Sequence, residues 1–241
     1  MPNATLTTTD GLSLIARSWL TAEAPEVAVV IVHGFSASSE CPNVSSLAAA
    51  FHADGFDVVT YDARGHGGSG GESTLGDHEE HDVAAAVSLA RERAERVVVV
   101  GASMGAIATL RYVAADPTVA GAVIVSCPAV WRLPRTARGV LGAAMTRTGV
   151  GRRVTARLCG VRVAKRWTNP STPLALAARV RVPIAYVHGR KDRFISFRDS
   201  ETLARVTPQP SRLVLVSEMG HAFEPSAVEP ICESVSWVLA Q

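Results

Sequence analysis

The chain has 241 residues, of which 47% are hydrophobic and 5% aromatic, so it can form one well-cored domain filled by aliphatic side chains. No apolar run is long enough to span a membrane, and the N-terminal residues lack the basic and apolar regions of a secretion signal, so we expect a cytoplasmic protein. The four cysteines are scattered without a CxxC pair, which argues against a disulfide framework and a zinc site. We expect neither a metal nor a cofactor.

The net charge of +2 is unevenly distributed along the chain. No Asp or Glu occurs from Pro117 through Lys191, and twelve basic residues lie between Pro128 and Arg181. The rest of the chain has 12 basic residues against 22 acidic ones. This asymmetry marks Pro128–Arg181, the basic segment, as a unit with a function of its own.

Apolar runs rich in β-branched residues alternate with helical patterns along the chain. A hairpin opens the fold, with strands at Thr5–Thr9 and Leu12–Leu20 joined at Asp10-Gly11. Further strands are predicted at Val27–Val32, Val58–Tyr61, Val97–Val100, Val119–Ser126, Pro183–Val187 and Arg212–Val216. Helices are predicted at Val44–Ala53, Asp77–Arg93, Phe197–Val206 and Ala227–Ala240. A further helix is predicted after the strand Val97–Val100 and runs to about Ala115. The alternation predicts a mostly parallel sheet covered by helices on both faces.

The stretch Val97–Leu110 carries the strongest functional signal. Four valines run into Gly101-Ala102-Ser103-Met104-Gly105, and an alanine-rich helical pattern follows. A strand that enters a G-x-S-x-G turn and leaves it as a helix is typical of a nucleophile elbow, which exposes the serine hydroxyl above the sheet. Ser103 is therefore the candidate nucleophile.

A serine nucleophile needs an imidazole base and a carboxylate that orients the base. His221 and Asp192 each follow a predicted strand, and the chain order Ser, Asp, His is that of this hydrolase architecture. His188 is the alternative base, and Glu218 and Asp199 are alternative acids. Among the remaining histidines we expect a structural hydrogen bond from His66 and solvated positions on helices for His52, His78 and His81.

Negative charge that develops on the substrate oxygen needs two fixed donors. The backbone N–H of Met104, directly after the candidate nucleophile, is one candidate. The N–H of Phe35 is the other, because Gly34 leaves the loop after the strand Val27–Val32 unencumbered.

These motifs resemble the α/β-hydrolase superfamily from end to end, and within it the monoglyceride-lipase and serine-aminopeptidase-like (carboxylesterase) branch. The residues that carry the resemblance are His33-Gly34-Phe35, Asp62-x-Arg64-Gly65-His66-Gly67-x-Ser69, Gly101–Gly105, His188-Gly189-x-x-Asp192 and Gly220-His221. The resemblance implies a mostly parallel, eight-stranded α/β-hydrolase sheet with helices on both faces, formed by residues 1–127 and 179–241. It also implies that the loop Asp62–Ser69 is structural and that residues 128–178 form a short helical cap over the active site.

The basic cap contains an apolar helical face at Val150, Val154, Leu158 and Val161. Three interpretations remain open for this face and the arginines beside it. In the first it binds an anionic acyl substrate, and in the second it lies on an anionic membrane surface. In the third it covers the sheet or the active site while the arginines are solvated. Candidates to contact the substrate are His33, Gly34, Trp131, Leu133, Met145 and Trp167. For the last four, a role in helix packing is the alternative.

The pattern as a whole predicts a serine hydrolase that cleaves small or medium acyl esters, including monoacylglycerol-like ones, through an acyl-enzyme. A thioesterase or an aminopeptidase-like hydrolase with the same triad is an alternative, because these enzymes differ in pocket shape and share the nucleophile. A non-catalytic binding protein with this fold is another alternative. Nucleic-acid binding is not expected, because the basic segment has two aromatic residues and no recognised nucleic-acid motif.

Overall fold

A computed structural model describes residues 3–131, 137–166 and 168–241. Eight strands form one sheet in the order β1-β2-β4-β3-β5-β6-β7-β8. Their bounds are β1 Asn3–Thr7, β2 Ser13–Trp19, β3 Val27–Val32, β4 Asp57–Tyr61, β5 Arg96–Ala102, β6 Gly121–Val125, β7 Ile184–Gly189 and β8 Ser211–Val216. The first two strands pair antiparallel, β2 pairs antiparallel with β4, and the remaining pairs are parallel. The predicted hairpin and the eight-stranded, mostly parallel α/β-hydrolase sheet are confirmed.

Helices cover both faces of this sheet. Their bounds are α1 Pro42–Ala53, α2 Glu80–Ala90, α3 Met104–Ala115, α4 Ala137–Arg147, α5 Gly149–Leu158, α6 Pro173–Ala177, α7 Phe197–Val206 and α8 Val228–Leu239. Apolar side chains of α1 and α8 pack into the core on one face, and those of α2, α3, α6 and α7 pack into the core on the other. Because helices bury both faces of the central strands, β3 and β5 consist almost entirely of valine, alanine and isoleucine.

The register of β3 and β5 decides where the candidate site forms. Val32 pairs with Gly101, so both strands end at the same edge of the sheet. The loop that starts at His33 therefore leaves the sheet beside the turn that carries Ser103. Functional residues collect at this carboxyl edge in open α/β sheets.

The helix predicted at Asp77–Arg93 is shorter in the structure, at Glu80–Ala90. The Glu79 carboxylate accepts hydrogen bonds from the backbone N–H groups of Thr74 and Gly76, at 2.8 and 2.9 Å. These bonds hold the residues before α2 in a loop, so the first residues of the predicted helix are not helical.

In the predicted cap, α4 and α5 are joined at Thr148 and pack against each other. Gly151 of α5 lies so close to the backbone of Ala144 and Met145 that a Cβ there would overlap it. The Thr155 hydroxyl donates to the Met145 carbonyl at 3.1 Å. After α5 the chain rejoins the body of the protein, because the N–H of Arg162 donates to the carbonyl of Gly65 at 2.8 Å.

The apolar helical face predicted at Val150, Val154, Leu158 and Val161 does not form as one continuous face. The helix α5 ends at Leu158, and Val161 lies beyond it, where it is 1% exposed. Val150, Val154 and Leu158 are 71%, 38% and 78% exposed. The interpretation that the whole face covers the sheet or the site is therefore wrong. Within the described ranges, no helix has both the length and the apolar character needed to cross a membrane.

Candidate active site

Ser103 stands at the sharp turn between the end of β5 and the start of α3. Its backbone has φ 55° and ψ −113°, a strained conformation that is typical of a nucleophile elbow. The Ser103 N–H donates to the Val125 carbonyl of β6 at 2.9 Å, which holds the turn against the sheet. The side chain is half-buried, so the hydroxyl remains accessible at the sheet edge.

The two glycines of the elbow occupy positions without room for a side chain. A Cβ on Gly101 would overlap the Thr109 hydroxyl and the Gly105 carbonyl. A Cβ on Gly105 would overlap the carbonyl oxygens of Val32 and His33. The spacing of the motif thus follows from the close approach of α3 to β5 and to the end of β3.

Three side chains from separate strand ends meet at this turn. His221 Nε2 lies 3.0 Å from Ser103 Oγ, and His221 Nδ1 lies 2.7 Å from Asp192 Oδ2. Because a carboxylate accepts hydrogen bonds, Nδ1 carries the proton and Nε2 is left to accept from the Ser103 hydroxyl. The side chain of Asp192 is fully buried and that of His221 is 22% exposed.

Asp192 is held by three hydrogen bonds and by an N–H of His188 that it shares with the Ile195 carbonyl, which lies 3.1 Å from His188 Nε2. Its Oδ1 accepts from the backbone N–H groups of Phe194 and Ile195, at 2.8 and 2.9 Å. Its Oδ2 lies 2.7 Å from His221 Nδ1 and 3.2 Å from His188 Nε2. Burial raises the pKa of the Asp192 carboxyl, but the hydrogen bonds from His188 and His221 outweigh burial and hold that pKa well below its ordinary value. Asp192 is therefore an anion at neutral pH.

The alternative base and acids occupy other positions. His188 is fully buried in β7 and contacts Asp192, and its Nδ1 lies 2.7 Å from Ser200 Oγ. Glu218 is exposed and forms an ion pair with Lys191. Asp199 lies on α7. The structure thus brings His221 and Asp192 to Ser103.

The His33-Gly34-Phe35 loop lies against the elbow. A Cβ on Gly34 would be 3.3 Å from Ser103 Cβ, which shows how closely the loop approaches. The buried His33 ring braces the loop, since Nδ1 donates to the Gly34 carbonyl at 2.8 Å and Nε2 accepts from the Ala63 N–H at 3.0 Å. Burial lowers the pKa of His33 to about 4, so the ring is neutral at pH 7. His33 supports the loop from behind.

The two candidate oxyanion donors belong to the start of α3 and to the loop that lies against the elbow. The Met104 N–H is the first of α3, where the positive end of the helix dipole favours negative charge. Phe35 is half-buried in the loop, and its ring meets that of His66 edge-on at 5.9 Å. The loop at Gly34 and the start of α3 thus both lie beside Ser103.

The loop Asp62–Ser69 has internal contacts of the kind expected for a structural element. Asp62 accepts from the N–H groups of Ser39 and Gly68, at 2.8 and 3.0 Å. The buried His66 donates from Nδ1 to the Arg64 carbonyl at 3.0 Å, as predicted for a structural histidine.

The three histidines predicted on solvated helical surfaces differ among themselves. His78 is exposed but precedes α2, whereas His52 and His81 are half-buried. His81 Nδ1 lies 2.9 Å from the Thr9 hydroxyl. The burial of His81 reflects the contact of the β1–β2 hairpin with it at Thr9, which helical spacing does not indicate.

Of the other predicted substrate contacts, only two lie within the described residues. Trp131 is half-buried, and its indole N–H donates to the Pro170 carbonyl at 2.9 Å. Met145 is half-buried on α4. Leu133 and Trp167 lie outside the residues that the structure describes.

The sequence interpretation missed Phe194. Its ring is 70% exposed and its centroid lies 5.1 Å from that of His221. An aromatic residue two positions after the candidate acid, on a strand-end loop, was the available signal.

One group of side chains within the described ranges has the spacing of a metal site, namely Asp10, His78 and His81. The Arg64 guanidinium already makes two hydrogen bonds to the Asp10 carboxylate, at 2.8 and 3.0 Å. A neighbouring cation opposes the binding of another cation there.

The profile of the family described as "Serine aminopeptidase, S33" matches residues 23–169, more than half of the chain. The chain belongs to this family of α/β hydrolases. The matched range contains His33, Phe35 and Ser103. Asp192 and His221 follow it, so their assignment depends on the hydrogen bonds described above.

Individual proteins show the same likeness. The uncharacterized protein YqkD of Bacillus subtilis (strain 168) is 26% identical over 70% of this chain, and the match spans 56% of that protein's length. The Pyrococcus furiosus esterase Pf2001 superposes with a TM-score of 0.76 at 22% identity, covering 99% of this chain and 90% of that one. The esterase RhEst1 from Rhodococcus sp. superposes with a TM-score of 0.72 at 21% sequence identity, covering 99% of this chain and 98% of that one. At these identities the structural matches establish the fold.

Proposed function

We propose that the protein is a serine hydrolase that cleaves carboxylic esters through an acyl-enzyme. The observation that carries the proposal is the chain of hydrogen bonds from Ser103 through His221 to Asp192, at 3.0 and 2.7 Å. The strained turn at Ser103, the start of α3 directly after it and the close approach of the Gly34 loop support the same function. The esterase descriptions of Pf2001 and RhEst1 agree with it.

In the first step, Ser103 Oγ attacks the ester carbonyl carbon while its proton moves to His221 Nε2. The carbonyl oxygen becomes an oxyanion, which the N–H groups of Phe35 and Met104 stabilise. The C–O bond to the alcohol then breaks, and the alcohol leaves with the proton from Nε2. The products of this step are the free alcohol and Ser103 in ester linkage to the acyl group.

In the second step, water takes the place of the serine hydroxyl. His221 Nε2 accepts a proton from the water as its oxygen attacks the acyl carbon, and Ser103 leaves with that proton. The acid is released and the enzyme regenerated. Asp192 remains ionised throughout, because its low pKa disfavours protonation, and it stabilises the imidazolium that forms twice in each cycle.

The substrate class follows from the surroundings of the site. The exposed ring of Phe194 offers an apolar surface next to His221, which suits an acyl chain or an apolar alcohol. We assign residues 128–178 as the cap and residues 1–127 and 179–241 as the hydrolase core. Small or medium acyl esters, including monoacylglycerol-like ones, fit this arrangement.

The test is a panel of p-nitrophenyl esters of increasing acyl length, with matched acyl thioesters and aminoacyl amides. We expect turnover of the esters to exceed that of the other two classes and Ser103→Ala to lower kcat by about 10⁴-fold or more. Ser236→Ala, an exposed serine on α8, is the matched control and should retain full activity. Faster turnover of the thioesters or amides would reassign the scissile bond. Absence of turnover on the whole panel would favour a non-catalytic binding protein.

A further inference from the structure

The outer surface of α5 carries an apolar line that the protein leaves uncovered. Val150, Val154 and Leu158 are spaced four residues apart, so they follow one another along one side of the helix. They are 71%, 38% and 78% exposed. Leu141 of α4 is also exposed, at 61%. Large aliphatic side chains that share one exposed helical surface mark an interaction site.

The side of α5 next to this line is already packed against α4, because at 100° per residue Gly151 and Thr155 project about 100° and 140° from Val150, beyond Leu158 at about 80°. Thr155 is fully buried and bonded to Met145, and Gly151 lies against the backbone of Ala144. The apolar line therefore cannot turn inward without breaking the contact between α4 and α5. Its partner must come from outside this part of the fold.

Arginines border the apolar line. At 100° per residue, Arg157 and Arg153 project about 20° and 60° to one side of Val150, on the same half of the helix. Both are exposed, and neither has an acidic neighbour in sequence, because no Asp or Glu occurs from Pro117 through Lys191. We call Val150, Val154 and Leu158 with Arg153 and Arg157 the α5 face.

We propose that the α5 face docks the protein on the surface of an anionic lipid bilayer. Aliphatic side chains bordered by arginine are the chemistry of helices that lie in the headgroup region, where apolar groups enter the acyl boundary and the cations contact phosphates. A second copy of the chain fits less well, since a symmetric contact would bring the arginines of both copies together without acidic partners. The proposal does not depend on the esterase function, because binding is measured without substrate.

The test is flotation of the purified protein with vesicles of phosphatidylglycerol, compared with vesicles of phosphatidylcholine. We expect flotation with phosphatidylglycerol only, and we expect it to weaken as salt is raised. The variant Val150→Gln/Leu158→Gln removes the apolar side chains while keeping good helix formers, and should no longer float. Its control, Leu20→Gln/Val206→Gln, changes two side chains that are 42% and 39% exposed elsewhere and should float as the wild type does.

A second pair of variants tests the charges. Arg153→Gln/Arg157→Gln should weaken binding by about fivefold for each arginine removed. The control Arg179→Gln/Arg205→Gln makes the same change in net charge at two exposed positions outside α5 and should bind normally. Thermal unfolding of all four variants checks that each is folded.

Three results would overturn the proposal. The first is wild-type protein that does not float with phosphatidylglycerol. The second is equal loss of binding in the controls and in the α5 face variants, which would show a diffuse charge effect. The third is a concentration-dependent dimer, seen by light scattering, that Val150→Gln/Leu158→Gln abolishes while vesicles bind neither protein; that result would assign the face to a second copy.

Discussion

His188 Nε2 lies 3.2 Å from Oδ2 of Asp192, the same oxygen that accepts the hydrogen bond from His221. Asp192 thus contacts two imidazoles, the fully buried ring of His188 and the ring of His221 beside Ser103. Two further contacts hold the ring of His188, since Nδ1 lies 2.7 Å from Ser200 Oγ and Nε2 lies 3.1 Å from the Ile195 carbonyl. A second donor on this carboxylate draws negative charge away from His221, so His188 should influence the base without touching substrate.

This relationship predicts a change in the pH dependence of His188 variants. In His188→Leu, Asp192 loses one donor and interacts more strongly with protonated His221, so the acidic limb of kcat/KM should move to higher pH. His188→Gln keeps an N–H donor at a similar reach and should lie closer to the wild type. Both variants leave Ser200 without its ring partner, at a cost of about 1–3 kcal/mol in stability.

The measurement is the pH profile of kcat/KM for one p-nitrophenyl ester with the three proteins. A merely structural role for His188 would lower stability equally in both variants and leave the acidic limb at its wild-type position. That outcome would contradict the positioning role.

We expect glycine-to-alanine substitutions at Gly105 in α3 and Gly142 in α4 to change stability in opposite directions. Gly105→Ala places a Cβ against the carbonyl oxygens of Val32 and His33 and should destabilise the protein by about 2–3 kcal/mol. Gly142→Ala in α4 meets no atom within 4 Å and should stabilise it by about 0.5–1 kcal/mol. Urea denaturation compares the two. Equal effects would mean that α3 does not approach β3 as closely as described.

Burial of His33 predicts a loss of stability in mild acid. Its pKa falls from 6.5 to about 4 on folding, so the unfolded chain binds a proton more readily between these values. Stability from this group is fully present above about pH 6.5 and declines as the pH falls towards about 4, by about 3 kcal/mol in all. Burial also lowers the pKa of His66, which adds to the slope with the same sign.

Urea denaturation at successive pH values checks this prediction, with His33→Asn as the comparison. The variant is less stable at neutral pH but should show a shallower decline in acid. An unchanged slope in His33→Asn would assign the acid sensitivity to other groups.

Phe194 predicts an effect on acyl-chain preference. Each added methylene of an acyl group buried on an apolar surface contributes about 0.8 kcal/mol at most, and the exposed ring beside His221 offers such a surface. Phe194→Ala should therefore flatten the rise of kcat/KM with acyl length, while Phe194→Leu should preserve it. The backbone N–H to Asp192 remains in both. Parallel profiles for all three proteins would place the acyl group elsewhere.

Much of this fold was predictable from the sequence because its central strands are buried on both faces. A run such as Val27–Val32 has few alternatives to a buried strand, and it is β3 with the same bounds. The meeting of Ser103, Asp192 and His221 followed from the rule that parallel strands end at one edge. Both predictions use local patterns, namely the apolar runs of the strands and the polar residues that follow them. The parallel sheet brings the ends of these runs together.

The features that the sequence did not predict depend on contacts between segments that are distant along the chain. The spacing of apolar residues carries no information on such contacts. The pattern that joined Val161 to Val150 is helical in spacing, but the chain leaves the helix at Leu158 to bond Arg162 to Gly65. The second contact of Asp192 with His188 likewise depends on how Asp192 folds back beside β7. The exposure of the α5 face follows from Gly151 and Thr155, whose packing on α4 turns the valines outward.

The proposed function requires that Ser103 be a nucleophile activated by His221. The most direct test is labelling with a fluorophosphonate probe, with the modified peptide located by mass spectrometry, in the wild type, Ser103→Ala and His221→Ala. We expect a single adduct on Ser103, no adduct in Ser103→Ala and labelling slowed by orders of magnitude in His221→Ala. Labelling of Ser103→Ala at the wild-type rate, or an adduct on another residue in the wild type, would contradict it.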